Sequence, residues 1–216
     1  MPSSPVLAER AYQRLREAIV HGELRPNQRL VEAELCELIG IGRTPVRTAL
    51  HMLEDQSLIV KQRTSWTVRE FNVSDIQDVY EARMAMEGFA ARLAATRASD
   101  EELARIVAIL DEHERLEELP PEQQVTLNEA FHTAISAASG NEHLIRLMER
   151  NRRFAFDHTA ARLYTPEDYR IGHQGHREIA AALMRRDAES TEALVREHYR
   201  IALEALATQV GGLARA

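Results

Sequence analysis

Three histidines have the type and spacing of a metal site, and Asn128 is stacked beside one of them. Asn128 and His132 stand four residues apart, which on a helix stacks them on one face. His176 and His198 fall in two later stretches that also carry helical spacing. Three helices each turning an imidazole inward is how helical bundles assemble metal centres. The competing reading is a buried, hydrogen-bonded polar cluster without an ion. His173 lies three residues before His176, where a surface role near a helix start competes with a share in the cluster. The other five histidines carry less. His21 and His51 need no special role, His113 sits among acidic residues as a solvated face, and His143 and His158 read as structural or surface groups.

A second set is suited to nucleic acid. Gly40 to Leu50 reads Gly-Ile-Gly-Arg-Thr-Pro-Val-Arg-Thr-Ala-Leu, a tight turn feeding a helix. Val31–Ile39 before it has apolar residues at 31, 35, 38 and 39. Helix, glycine-bearing turn and second helix make a helix-turn-helix, whose second helix enters a major groove. Arg43 and Thr44 occupy its leading end, where side chains reach base edges and backbone N–H groups face phosphates. Pro45 suits a first turn, because its missing N–H has no partner there. An ordinary helical hairpin with surface arginines is the bland alternative.

The flanking elements position this helix. Ala8–Val20 is an amphipathic first helix ended by His21-Gly22, and Leu24–Asn27 is a turn. Leu58–Val60 and Trp66–Val68 read as two short strands, with Arg63-Thr64-Ser65 as the tip of a wing suited to phosphate or minor-groove contact. Residues 1–72 are therefore expected to form a winged helix-turn-helix DNA-binding domain. The boundary falls near Phe71–Ser74, with Ser74 as the expected helix cap.

Residues 73–216 read as an antiparallel all-helical bundle, the fold class of the whole being mainly α. Helices are expected at about 75–96, 99–117, 121–139, 141–163, 166–186 and 188–209, the last stopping at Gly211-Gly212. The net charge of −7 divides unevenly: residues 1–72 hold 10 basic against 9 acidic side chains, and the remainder holds 17 against 25. DNA attraction must then come from local clustering of Arg43, Arg47 and Arg63, with steep salt dependence. Lys61 is the sole lysine, and a single cysteine, Cys36, excludes an intramolecular disulfide. No apolar run approaches a membrane span and no leader is evident, so no membrane partner and a cytoplasmic location are expected.

These residues carry a resemblance. Residues 8–71 resemble the winged-helix domain of GntR-type bacterial transcription regulators, through Gly22-Glu23-Leu24-Arg25-Pro26, Arg29-Leu30-Val31-Glu32, Glu34-Leu35 and Gly40–Leu50. The resemblance implies DNA contact by Arg43, Thr44, Pro45 and Arg47. Gly42 replaces the family's usual hydroxyl residue, and the wing tip lacks the family's usual glycine. The second part is similar to the helical effector domain of the FadR subfamily, often called FCD, in its shorter six-helix, VanR-like form. Matching words are Tyr80-Glu81-Ala82-Arg83 with Glu87, Ala90–Ala95, Phe131-His132, Ser139-Gly140-Asn141, His176–Ile179, Arg186-Asp187-Ala188 and His198.

In that family an aspartate and three histidines hold a divalent metal; the matching positions here are Asn128, His132, His176 and His198. The neutral Asn128 is a poorer donor to a hard cation, yet three imidazoles still suit Zn²⁺ or Ni²⁺. Arg83 is implied as a clamp for a carboxylate effector, with Arg152 and Arg153 as weaker candidates. The resulting expectation is a transcriptional regulator, working as a homodimer on palindromic operator DNA, whose affinity a small carboxylate modulates at a metal-containing site. Two alternatives remain: a regulator responding to the metal itself, and a zinc hydrolase using Glu129 or Glu178 as base. Against the hydrolase, the chain has no His-Glu-x-x-His, nucleophile elbow or phosphate-binding glycine loop.

Overall fold

The computed structural model describes residues 4–20, 22–63, 65–70, 72–115, 119–152 and 163–213. The chain divides into two compact units, with the division between Phe71 and Asn72.

The first unit comprises α1 (Ser4–Val20), β1 (Arg29–Leu30), α2 (Glu32–Ile39), α3 (Arg43–Asp55), β2 (Ile59–Gln62) and β3 (Ser65–Val68). Ala8, Ala11, Leu15 and Ala18 recur at helical spacing and are buried, so α1 covers the core with one face. Leu50 and Leu53 of α3, Leu58, Ile59 and Trp66 complete that core. Truncating any of its large aliphatic side chains to alanine costs about 2–5 kcal/mol. The sheet has order β1-β3-β2, antiparallel throughout, with Leu30 opposite Trp66 and Gln62 opposite Ser65. The two-strand reading missed β1, whose two residues are too few to show any alternation. Its pairing covers an edge of β3 that would otherwise lie open.

The second unit comprises α4 (Val73–Arg97), α5 (Asp100–Arg115), α6 (Pro121–Ala138), α7 (Glu142–Arg152), α8 (Pro166–Met184) and α9 (Ala188–Leu213). α4 is capped by Asn72, not Ser74: Asn72 Oδ1 accepts from the Asp75 amide at 3.0 Å and Asp75 Oδ2 accepts from the Asn72 amide at 3.1 Å. This reciprocal box satisfies two backbone donors at once, which outcompetes a single serine. Thr165 and Asp168 build the same box at the start of α8. α9 runs through Gly211-Gly212 to Leu213. Each glycine weakens a helix by about 1 kcal/mol relative to alanine without forcing it to stop. The expected 141–163 helix is seen as α7 to Arg152; residues 153–162 lie outside the described residues, and Leu163, its expected end, is in a turn.

Small side chains let α4 and its partners approach closely. Ala90, Ala91, Ala94 and Ala95 are fully buried along one face of α4. At Gly88 a Cβ would stand 2.9 Å from Arg196 Cγ, so α9 crosses there against bare backbone. No helix among the described residues is long and apolar enough to cross a membrane.

Candidate functional site

Each unit carries its own candidate site. In the first, Gly40 adopts the left-handed conformation, with φ 65°, and closes α2; the extended Gly42 then opens α3. Gly42 has no side chain to cap the helix, and Arg43 becomes its first residue. Arg43 and Thr44 are exposed, Pro45 is half-buried in the first turn, and Val46, Ala49 and Leu50 face the core. The buried stripe therefore fixes the rotation of α3 and leaves its arginine side to solvent.

Arg47 is exposed but engaged. Its Nε and a terminal nitrogen donate to the two carboxylate oxygens of Glu32 at 2.9 and 2.7 Å, a bidentate pair between α3 and α2. That hydrogen bonding holds the Glu32 carboxyl below its ordinary value, with the charges of Arg47, Arg43 and His51 adding to it. A groove lined by Arg29, Glu32, Arg43, Arg47, Ser65 and Trp66 joins α2 and α3 to the wing. In the wing turn Arg63 takes φ 50°, the region glycine favours, and its side chain is exposed. Such a residue stores roughly 1–2 kcal/mol of strain. Thr64 of the expected wing tip lies outside the described residues.

In the second unit α6, α8 and α9 bring His132, His176 and His198 together, with one ring nitrogen of each lying within 4.8 Å of the others. Ring centroids are 4.5 Å apart for His176–His198 and 5.2 Å for His132 with either neighbour. His132 and His176 are buried; His198 is half-buried, and desolvation pushes its pKa down to about 4. A neutral imidazole at physiological pH is the ligand form a metal needs. Donors at about 2.1 Å in tetrahedral array stand about 3.4 Å apart, so movements of about an ångström gather these three onto one ion. The donor set fits Zn²⁺ or Ni²⁺.

Asn128 is half-buried one turn before His132 on α6 and shares its face. His173 pairs with Gln124 at 3.1 Å and is not in the three-histidine group. Glu178, one candidate base of the hydrolase alternative, is exposed and accepts from Gln174. His21, His158 and Arg153, together with the side chains of His113 and Arg152, lie outside the described residues.

Three further residues shape this centre: the sequence reading named Glu87 only within a family word, and did not single out Gly175 or Tyr199. Glu87 of α4 is buried, with Oε2 3.5 Å from His132 Nδ1. At Gly175 a Cβ would stand 2.9 Å from His198 Nδ1, so the absence of a side chain there makes room for that imidazole. Tyr199 has its ring 5.1 Å from that of His132 and 6.0 Å from the guanidinium carbon of Arg83. Arg83 itself is buried, with the Tyr80 ring, edge-on to that of Tyr199, at 5.6 Å. Arg83 and Glu87 are four residues apart on α4, a helical neighbour relation legible in the sequence.

Comparison with known proteins agrees with both units. Residues 7–68 match bacterial regulatory proteins of the gntR family, and residues 78–201 match the FCD domain. The Nta operon transcriptional regulator of Aminobacter aminovorans is 30% identical over 176 residues, spanning 81% of this chain and 82% of the relative. The transcriptional repressor GlaR of Escherichia coli is 27% identical over 197 residues, spanning 87% and 90%. The solved structure of E. coli McbR/YncC superposes with a TM-score of 0.74 at 23% identity, covering 97% of this chain and 99% of that one. A metal-free FCD domain of TM0439 superposes with a TM-score of 0.54 at 23% identity, covering 66% and 99%; both structures attest the fold.

Proposed function

The chain belongs to the gntR family of bacterial regulatory proteins and carries an FCD domain, and from that premise we propose that a small carboxylate effector, bound beside a divalent metal in the helical unit, sets its affinity for operator DNA. The relatives are transcriptional regulators and not enzymes, which removes the hydrolase alternative.

In the winged unit, Arg43 and Arg47 read base edges, Thr44 and Pro45 seat the helix start against the backbone, and Arg63 contacts DNA from the wing. One such helix makes few base contacts, so the regulator works as a homodimer on a palindromic operator. It acts in the cytoplasm, where its DNA is. In the helical unit, His132, His176 and His198 hold the metal, with Asn128 able to add an amide oxygen. When bound, a Zn²⁺ or Ni²⁺ ion supplies a Lewis-acidic anchor for an anionic oxygen. Arg83 grips the other end of the effector through its planar fork. Tyr80 and Tyr199 wall the guanidinium and keep water from it, which strengthens its attraction for an anion.

The observation that carries this reading is the cluster of three imidazoles, joined to Arg83 through the ring of Tyr199, which stands 5.1 Å from His132, 5.6 Å from His198 and 6.0 Å from the Arg83 guanidinium carbon. The test is metal analysis of the purified chain and of His132→Ala and His176→Ala, followed by operator binding with metal alone and with metal plus a panel of short carboxylic acids. Loading that both substitutions abolish, and DNA binding that shifts only when acid is added, is the expected result. Loading unaffected by either substitution overturns the metal assignment, and a shift with metal alone establishes a metal-responsive regulator instead.

A further inference from the structure

The three imidazoles bring no negative charge to a dication, and neither does the amide of Asn128. Among the described residues, Glu87 is a carboxylate that reaches the set, from a helix that contributes none of the histidines. Its Oε2 lies 3.5 Å from His132 Nδ1, and both side chains are 4% exposed. Water therefore does not compete for either group, and the attraction of the carboxylate for an N–H on that ring is stronger than it is at the surface. A carboxylate facing Nδ1 fixes the proton on that nitrogen. The lone pair is then on Nε2, and the ring is held in one orientation.

We propose that Glu87 is the positioning residue of the metal centre: it holds His132 in the Nδ1–H form, orients the ring, and supplies the buried carboxylate that partly offsets the charge of the ion. This rests on the reading of the three histidines as a metal site. Outer carboxylates of this kind are worth about 10- to 100-fold in metal affinity. Two substitutions separate the two parts of the role. Glu87→Gln keeps an acceptor for Nδ1–H and removes the charge; Glu87→Leu removes both at similar volume.

The experiment uses the full chain and Co²⁺ as the probe. Affinity is read by competition with a chromogenic chelator, and the His132 tautomer by long-range ¹H–¹⁵N correlation of the imidazoles in the metal-free protein. The wild type is expected to show Nδ1–H at His132. Glu87→Gln should keep that tautomer and lose about tenfold in Co²⁺ affinity, whereas Glu87→Leu should show mixed tautomers and a loss nearer 100-fold. Unchanged affinity and an unchanged tautomer in the Leu variant overturn the role of Glu87 while leaving the metal site standing. A wild-type chain that takes up no Co²⁺ overturns the metal site itself, and Glu87's role with it. Should the Leu variant fail to fold, the Gln variant decides: weakened Co²⁺ binding with the tautomer kept supports the proposal, and wild-type affinity sinks it.

Discussion

Both units pair a basic side chain with a glutamate from a neighbouring helix, in opposite surroundings. Arg47 and Glu32 meet at 2.7 Å with the arginine side chain 62% exposed. His132 and Glu87 meet at 3.5 Å with both side chains 4% exposed. The shorter contact is the weaker device. Water and salt screen it, and exposed pairs contribute little to stability. That suits a guanidinium which, in the proposed function, exchanges its carboxylate for DNA. The buried contact has no aqueous alternative, so it holds an imidazole in place, and breaking it takes a partner from a group that water does not reach. The lesson is that surroundings, more than distance, decide whether a charged contact is exchangeable or fixed.

The comparison can be broken in four places. The largest effect is expected from replacing both Arg43 and Arg47 with alanine, which should lower affinity for a selected oligonucleotide by at least about 100-fold at moderate salt. Fluorescence anisotropy reads it, and undiminished binding would show that α3 is not the reading helix. Next, Glu87→Ala should cost about 1–3 kcal/mol in denaturant unfolding, whereas Glu32→Ala should move the melting temperature by no more than about 2 °C. Equal losses would erase the distinction between the two pairs.

Gly175→Ala comes third. It adds a methyl group at the place where His198 Nδ1 now lies, 2.9 Å from the new Cβ. Co²⁺ affinity should fall about tenfold, near 1.4 kcal/mol, although alanine favours the helix by roughly 1 kcal/mol. A variant that melts higher yet binds metal less well is the signature; one that binds metal as before refutes the packing argument.

The smallest effect is a pH dependence. Arg47 lowers the Glu32 pKa from 4.5, so the carboxylate pair contributes stability above that value. The contribution fades as pH falls through the lowered folded-state pKa. Melting curves of the wild type and Glu32→Gln should therefore converge as the pH drops below about 4.5. A gap that widens with acid would contradict the sign.

The sequence displayed those parts whose signals are local. Gly40 and Gly42 bracket the turn, Arg43 and Pro45 mark the start of α3, and α8 begins at Pro166, where its helix was expected. The histidines could be grouped because three helices could be drawn. What stayed hidden depends on tertiary approach or on close competition. Glu87 meets His132 from 45 positions away and Gly175 faces His198 across two helices, pairings that no periodicity records. Asn72 and Ser74 are both good caps, and only the reciprocal bond to Asp75 decides between them. The wing turn tells the opposite story: the tip lacks the glycine usual in the family it resembles, and Arg63 takes the left-handed conformation itself.

One feature of α9 reaches further than its packing. Successive residues on a helix diverge by about 100°, and α9 uses that divergence at His198 and Tyr199. One ring stands among the imidazoles and the next against Tyr80 and Arg83. The two share a single peptide bond, so a displacement of α9 carries both. Any shift of that helix which moves His198 within its cluster also moves Tyr199, the ring that lies against both His132 and Arg83.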